Sequence, residues 1–147
     1  MSFSKPWRTL SGPDEREKRL PVLDVYLRTA GGSFVREVFV VDSGADVSMG
    51  PRRLCELVGL RWEDGELIQV TGIAQHEECV VPATIHMLDI YIRDAGCQLT
   101  IPFCFAEGDA PLLIGREGFF DAFRVTFDKP QFVTVFELVR SVAEGSP

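Results

Sequence analysis

A carboxylate stands at the end of an apolar segment, followed by a hydroxyl residue, a glycine and a second carboxylate. The apolar segment is 39–41, and the polar residues are Asp42, Ser43, Gly44 and Asp46. Valine and phenylalanine favour a buried strand, and glycine permits a sharp turn after it. The pattern predicts Asp42 at the mouth of an apolar core, where a carboxylate is costly unless it is paired, hydrogen-bonded or used in proton transfer. The structural alternative is that Asp42 ends a strand and caps a turn.

Two further segments of interest follow the Asp42 motif along the chain. Residues 70–74 read Val-Thr-Gly-Ile-Ala, and residues 111–116 read Pro-Leu-Leu-Ile-Gly-Arg. With Asp-Ser-Gly-Ala-Asp at 42–46, they resemble the retropepsin-like aspartic proteases. That family carries an Asp-Thr/Ser-Gly-Ala active-site motif, then a flap, then a hydrophobic segment ending in Gly and Arg. The resemblance covers roughly residues 20–138.

The resemblance implies an aspartic endopeptidase that hydrolyses peptide bonds in extended polypeptides. Such chemistry needs two carboxylates that share a proton and hold one water between them. The sequence contains the motif once, so the resemblance implies a homodimer in which Asp42 of each copy meets at a two-fold axis. No cofactor and no metal are implied, and activity is expected to be highest on the acidic side.

The roles of the motif residues follow from the resemblance. Asp42 would be the catalytic carboxylate, and Ser43 would hydrogen-bond across the dimer axis. Gly44 would bring its backbone close to the carboxylates, and its amide would hydrogen-bond Asp42. Ala45 would leave room for the substrate backbone.

Asp46 would either contact that backbone or form a partly buried structural pair with Arg116. The residues implied to bind substrate from the flap are Thr71, Gly72, Ile73 and Ala74. This flap has fewer glycines than retroviral flaps.

Hydrophobic patterning predicts a mainly β protein with two short helices, arranged as a closed, retropepsin-like β-barrel. Residues 1–19 are expected to be a flexible tail, 20–140 the domain, and 141–147 a second tail. The predicted strands are 20–27, 34–41, 66–71, 78–85, 87–93, 99–105, 112–114, 123–128 and 132–138. The predicted helices are 51–59, with Leu54, Leu57 and Val58 on its apolar face, and 116–122.

The last predicted strand, 132–138, is apolar on both faces, and an exposed strand of that kind would promote aggregation. Pairing with a second copy and packing on the chain's own core are equally good explanations.

Charge and composition narrow the possible partners. Fifteen Lys and Arg against 22 Asp and Glu give a net charge of −7, which argues against a nucleic-acid partner. No apolar run is long enough to span a membrane, and the N-terminal residues lack the apolar region of a secretory signal. We therefore expect a cytoplasmic protein whose four scattered cysteines are free thiols.

Residues 76–79 and His86 include side-chain types that bind zinc. Their spacing matches no standard site, so no metal is expected. The alternative to a protease is a retropepsin-fold module that binds peptides or dimerises with little or no catalysis.

Overall fold

The structure is a computed structural model that describes residues 1–11, 17–71 and 80–139. These residues form a mainly β protein with two short α-helices. The strands are β1 (Ser2–Pro6), β2 (Arg8–Ser11), β3 (Glu17–Leu20), β4 (Val22–Arg28), β5 (Phe34–Val41), β6 (Ser48–Pro51), β7 (Glu66–Thr71), β8 (Val80–Ile92), β9 (Cys97–Ala106), β10 (Leu113–Ile114), β11 (Phe123–Asp128) and β12 (Val133–Leu138). The helices are α1 (Arg52–Leu57) and α2 (Phe119–Ala122), and short 3-10 turns lie at Trp62–Asp64 and Arg93–Ala95.

The largest sheet has the strand order β4-β5-β10-β6-β9-β8-β7. Strand β4 also pairs with β8, through Tyr26 with Tyr91 and Leu27 with Ile90, so the sheet curls back on itself. The short strand β10 lies between β5, to which it is parallel, and β6, to which it is antiparallel. A late segment of the chain therefore lies beside the strand that leads to Asp42.

The β4–β5 hairpin shows why the strand before Asp42 is held firmly. Leu23, Val25 and Leu27 are fully buried, whereas the residues between them face outward, as the period-two pattern of a strand requires. The turn is closed by the Thr29 N–H, which donates to the Ser33 carbonyl at 2.8 Å. Gly32 has φ +87°, a conformation that favours glycine. The two strands that the sequence predicted at 20–27 and 34–41 are therefore present, and they pair as a hairpin.

The N-terminal residues differ from the expected tail. Ser2–Pro6 forms a strand that pairs antiparallel with β12, and the ring of Phe3 stacks on Phe136 at 4.9 Å between centroids. The Trp7 Nε1–H also donates to Thr134 Oγ1 at 2.8 Å. The prediction of a flexible tail over 1–19 is thus wrong for this strand, because its order depends on a distant partner that local composition does not show.

Strand β12 is the central strand of a three-stranded sheet of order β1-β12-β11. Both of its edges are paired within the chain, and Phe136 is fully buried. Of the two explanations for this apolar strand, the structure therefore shows packing on the chain's own core. Its edge is not open to a strand from a second copy.

Helix α1 follows Pro51 as predicted, and Gly59, with φ +79°, follows the C-cap residue Val58, which is buried as predicted. Leu57, however, is 55% exposed, and Cys55 is buried in its place. A helix of six residues makes fewer than two turns, so only the narrow face that carries Leu54 and Cys55 meets the core.

Two other boundaries also differ from expectation. Strand β8 runs unbroken from Val80 to Ile92, where the sequence predicted two strands, 78–85 and 87–93. Helix α2 begins at Phe119 instead of residue 116, because the backbone just before it pairs with the chain near Asp42. Within the described ranges, no helix is long and apolar enough to cross a membrane.

Candidate active site

Asp42 lies directly after β5, where the apolar strand reaches the surface. Its own N–H donates to the Ile114 carbonyl at 2.9 Å, which fixes the backbone against β10. The Gly44 N–H donates to Asp42 Oδ1 at 2.8 Å, so the predicted amide–carboxylate contact is present. The Asp42 side chain is half-buried, and its carboxylate therefore has a fixed orientation while it remains accessible.

Gly44 sits unusually close to this carboxylate. A Cβ added at Gly44 would lie 3.2 Å from Asp42 Oδ1, which is tighter than most such contacts. The turn is completed by the Ala45 N–H, which donates to the Asp42 carbonyl at 3.2 Å. Residues 42–47 therefore form a compact turn around the carboxylate, which we call the Asp42 loop.

The segment 112–117 runs alongside β5 and the Asp42 loop and is joined to them by backbone hydrogen bonds. From N–H to carbonyl these are Val40 to Leu112 (3.0 Å), Asp42 to Ile114 (2.9 Å), Arg116 to Ala45 (2.9 Å) and Glu117 to Asp46 (2.9 Å). Loops are usually mobile because few bonds hold them. Here the bonds make the loop an extension of the sheet, so the sheet fixes the position of the Asp42 backbone.

Ser48 and Gly115 form a further, buried connection that the sequence analysis did not identify. The Gly115 N–H donates to Ser48 Oγ at 3.0 Å, and Ser48 is fully buried. A Cβ at Gly115 would lie 2.5 Å from the carbonyl carbon of Val47, so only glycine fits this approach. The glycine that follows the apolar run 112–114 was the signal in the sequence for such a close approach. Nothing in the sequence around Ser48 signals its burial.

Arg116 joins two points of the Asp42 loop through its side chain. Its Nη1–H donates to the Ser43 carbonyl at 2.6 Å, and its Nη2 pairs with Asp46 Oδ1. Of the two expectations for Asp46, the pair with Arg116 is present. The expected partial burial is wrong, since the side chains are 81% exposed for Asp46 and 48% exposed for Arg116. An ion pair so exposed contributes little to stability by its charge alone.

The predicted flap lies mostly outside the described residues. Thr71 is the last residue of β7, and Gly72, Ile73 and Ala74 are not described. Their substrate-binding roles therefore stay predictions. The segment 76–79 is also outside the described residues.

Other chemically active groups lie away from Asp42 or are buried. Within the described part of the chain, no three His, Cys, Asp or Glu side chains cluster as metal ligands would. Burial raises the pKa of the thiols of Cys55, Cys97 and Cys104. These thiols are therefore neutral at pH 7 and poor nucleophiles.

Comparison with known proteins shows a similarity of fold and none of sequence family. No family model and no curated protein matches this sequence. Among solved structures, the fold is similar to that of a retropepsin-like aspartic protease from Rickettsia conorii, with a TM-score of 0.61 and 14% sequence identity. The match covers 92% of this chain and 98% of that chain. At this identity the similarity shows a common fold.

Proposed function

We propose that this chain is an aspartic endopeptidase that acts as a homodimer, with one Asp42 carboxylate from each copy. The observation that carries the proposal is the geometry of Asp42. A half-buried carboxylate is held by the Gly44 amide at the end of a buried strand, in a loop joined to β10 by backbone bonds. The similar fold of a retropepsin-like aspartic protease supports the same reading.

The chemistry requires a second carboxylate, and the described structure supports a partner copy as its source. Asp46, the acidic residue nearest to Asp42 in sequence, already pairs with Arg116. Ser43 is exposed on the single chain and is free to hydrogen-bond across a two-fold axis. We therefore propose that the site is complete only when two Asp42 loops meet.

In the completed site, one Asp42 carboxylate accepts a proton from the bound water as that water attacks the peptide carbonyl. The other carboxyl donates a proton to the carbonyl oxygen. Two carboxylates a few ångströms apart do not both ionise easily, so one proton stays on the pair. We propose that hydrolysis increases below neutral pH for this reason.

The substrate would be an extended polypeptide segment. In this proposal Ala45 leaves space for the substrate backbone, and Thr71, Gly72, Ile73 and Ala74 close over it with main-chain hydrogen bonds. The curled sheet would act as a closed barrel that keeps these elements in place.

The first test is hydrolysis of a mixed peptide library from about pH 4 to about pH 7, read by mass spectrometry. Asp42→Asn should lower the rate by roughly a thousandfold or more, because it removes an essential proton-transfer group from both halves of the site. The control variant Asp64→Asn, changed at an exposed position elsewhere, should cleave the peptides at the wild-type rate. Equal cleavage by wild type and Asp42→Asn would exclude this mechanism.

The second test is subunit mixing. If the site needs two Asp42 carboxylates, a mixed dimer with one Asp42→Asn subunit is inactive, and activity falls with the square of the wild-type fraction. A linear fall would show that one chain is sufficient. A folded dimer that binds peptide without cleaving it would favour the alternative of a peptide-binding module.

A further inference from the structure

Six side chains on the outer face of the sheet form a second surface, far from Asp42. They come from β4, β5, β8 and the turn after β8, and we call them the basic-aromatic patch: Tyr26, Arg28, Phe34, Arg36, Tyr91 and Arg93. Strand register makes them neighbours, since Tyr26 lies opposite both Arg36 and Tyr91, and Arg28 lies opposite Phe34.

The aromatic rings of the patch contact one another and remain partly exposed. The ring centroids of Tyr26 and Tyr91 are 6.3 Å apart, and those of Phe34 and Tyr91 are 6.1 Å apart. Phe34 is 48% exposed, although a phenylalanine gains by burial. Exposed aromatic side chains beside arginines are typical of surfaces that bind another chain.

The arginines of the patch carry charge that the described residues do not neutralise. Arg28, Arg36 and Arg93 are exposed, and none forms an ion pair within the described ranges. Arg93 contacts the Tyr26 hydroxyl at 3.4 Å.

The carboxylates around the patch have partners of their own. Asp24 pairs with Arg8 at 3.1 Å, and Asp94 pairs with Lys5 at 3.0 Å. Asp89 accepts a hydrogen bond from Thr100 Oγ1 at 2.6 Å. Asp89 keeps its negative charge, because a hydroxyl donor does not neutralise it, and it lines the same cleft as Arg28. The three arginines outnumber this one carboxylate, so the patch is positive overall on a chain whose net charge is −7.

The patch lies at the opposite end of β5 from Asp42. Phe34 is the first residue of β5, and Asp42 follows its last residue. At about 3.3 Å per residue, the two ends are roughly 25 Å apart. A ligand on the patch would therefore leave the Asp42 site free.

We propose that the basic-aromatic patch docks an acidic peptide segment that also carries apolar side chains. The arginines supply charge complementarity to carboxylates, and the exposed rings supply apolar contact. A peptide fits better than a nucleic acid, because three arginines on an acidic chain form no continuous positive surface for a phosphate backbone. This docking surface does not depend on the function proposed for Asp42.

The test uses a short synthetic peptide of glutamate and aspartate with one leucine and one phenylalanine, titrated into the full chain and followed by NMR. The triple variant Arg28→Gln, Arg36→Gln and Arg93→Gln should weaken binding by about tenfold or more. The control is Arg53→Gln, Arg61→Gln and Arg124→Gln, which changes the net charge equally at exposed sites elsewhere. The control should change binding by less than about twofold.

Phe34→Ser gives a second test that leaves the charge unchanged. It should weaken binding of the same peptide, and thermal unfolding should show that each variant is folded. Equal weakening by both arginine triples would overturn the proposal, as would the absence of binding by the wild type. Tighter binding of single-stranded oligothymidylate, or a self-association lost only in the patch triple, would likewise overturn it in favour of a nucleic acid or a second copy.

Discussion

The Asp42 loop and the terminal sheet, formed by β1, β11 and β12, are held together by different forces. The loop is polar and largely exposed, and backbone hydrogen bonds to segment 112–117 fix it. The terminal sheet is held by aromatic packing, in which the ring of Phe136 contacts Phe3, Phe119 and Phe123 at centroid distances of 4.9, 6.0 and 6.4 Å. One region fixes the position of the Asp42 carboxylate, and we expect the other to supply more of the stability.

The difference predicts how each region responds to mutation. Removing apolar area from the terminal sheet should lower the free energy of unfolding and leave the local geometry of Asp42 intact. Disturbing the backbone around the Asp42 loop should alter that geometry at a smaller cost in stability. Substitutions in each region test this contrast.

The largest effect on stability is expected from Phe136→Ala. Phe136 is fully buried among other rings, so the change should lower the free energy of unfolding by about 3–5 kcal/mol. Urea unfolding measures the loss. Phe127→Ala, at a partly exposed position on β11, is the control and should cost much less. Similar losses in the two variants would contradict the assignment of stability to these rings.

Gly115→Ala should lower stability by about 1–3 kcal/mol, because the new methyl group would overlap the Val47 backbone. The loop must then shift, so peptide hydrolysis should fall further than the unfolded fraction explains. Gly31→Ala is the control, since its Cβ would meet no atom closer than 3.9 Å. Normal activity and stability in Gly115→Ala would show that the loop tolerates displacement.

The Arg116–Asp46 pair should contribute less than about 1 kcal/mol in a double-mutant cycle of Arg116→Gln and Asp46→Asn, because both side chains are well exposed. Urea unfolding at low and high salt measures the coupling. The Arg124–Glu137 pair, at 3.1 Å and similarly exposed, is the matched control. A coupling energy of several kcal/mol for the Arg116–Asp46 pair, with none for the Arg124–Glu137 pair, would contradict this prediction. It would show that the Arg116–Asp46 pair stabilises the loop strongly.

The smallest expected effect is a dependence of the free energy of unfolding on pH, which arises from the buried thiols. Burial raises the pKa of Cys104, so the folded state favours the neutral thiol. This contribution is fully present below the pKa of the unfolded thiol, near 8.5, and is lost as pH rises above it. The free energy of unfolding should therefore fall as pH rises above about 8.5, and it should fall less steeply in Cys104→Ala. An equal dependence of the free energy of unfolding on pH in the wild type and in Cys104→Ala would contradict this prediction.

The sequence predicted best those elements whose causes are local. Apolar patterning, glycine and proline predicted the strand before Asp42, the helix after Pro51, and the strands β11 and β12. The resemblance to retropepsin-like proteases also offered a pair between Asp46 and Arg116 as one of two alternatives for Asp46, and the structure contains that pair.

The elements that the sequence did not predict depend on partners far along the chain. Ser2–Pro6 has only one large apolar residue, and its strand forms because β12 offers an edge. Ser48 is buried because Gly115, 67 positions away, donates to its hydroxyl. The exposure of the Asp46–Arg116 pair depends on how two segments meet. Local patterns contain none of this information.

The position of β10 also determines when the Asp42 loop can form during synthesis. The ribosome releases residues 42–47 long before residues 112–117, and the loop lacks its backbone partners until those residues emerge. Strand β1 likewise lacks its partner until β12, far along the chain, has emerged. Contacts of such long range form slowly. An incomplete nascent chain therefore carries an unformed Asp42 loop, and the geometry of the site appears only late in folding.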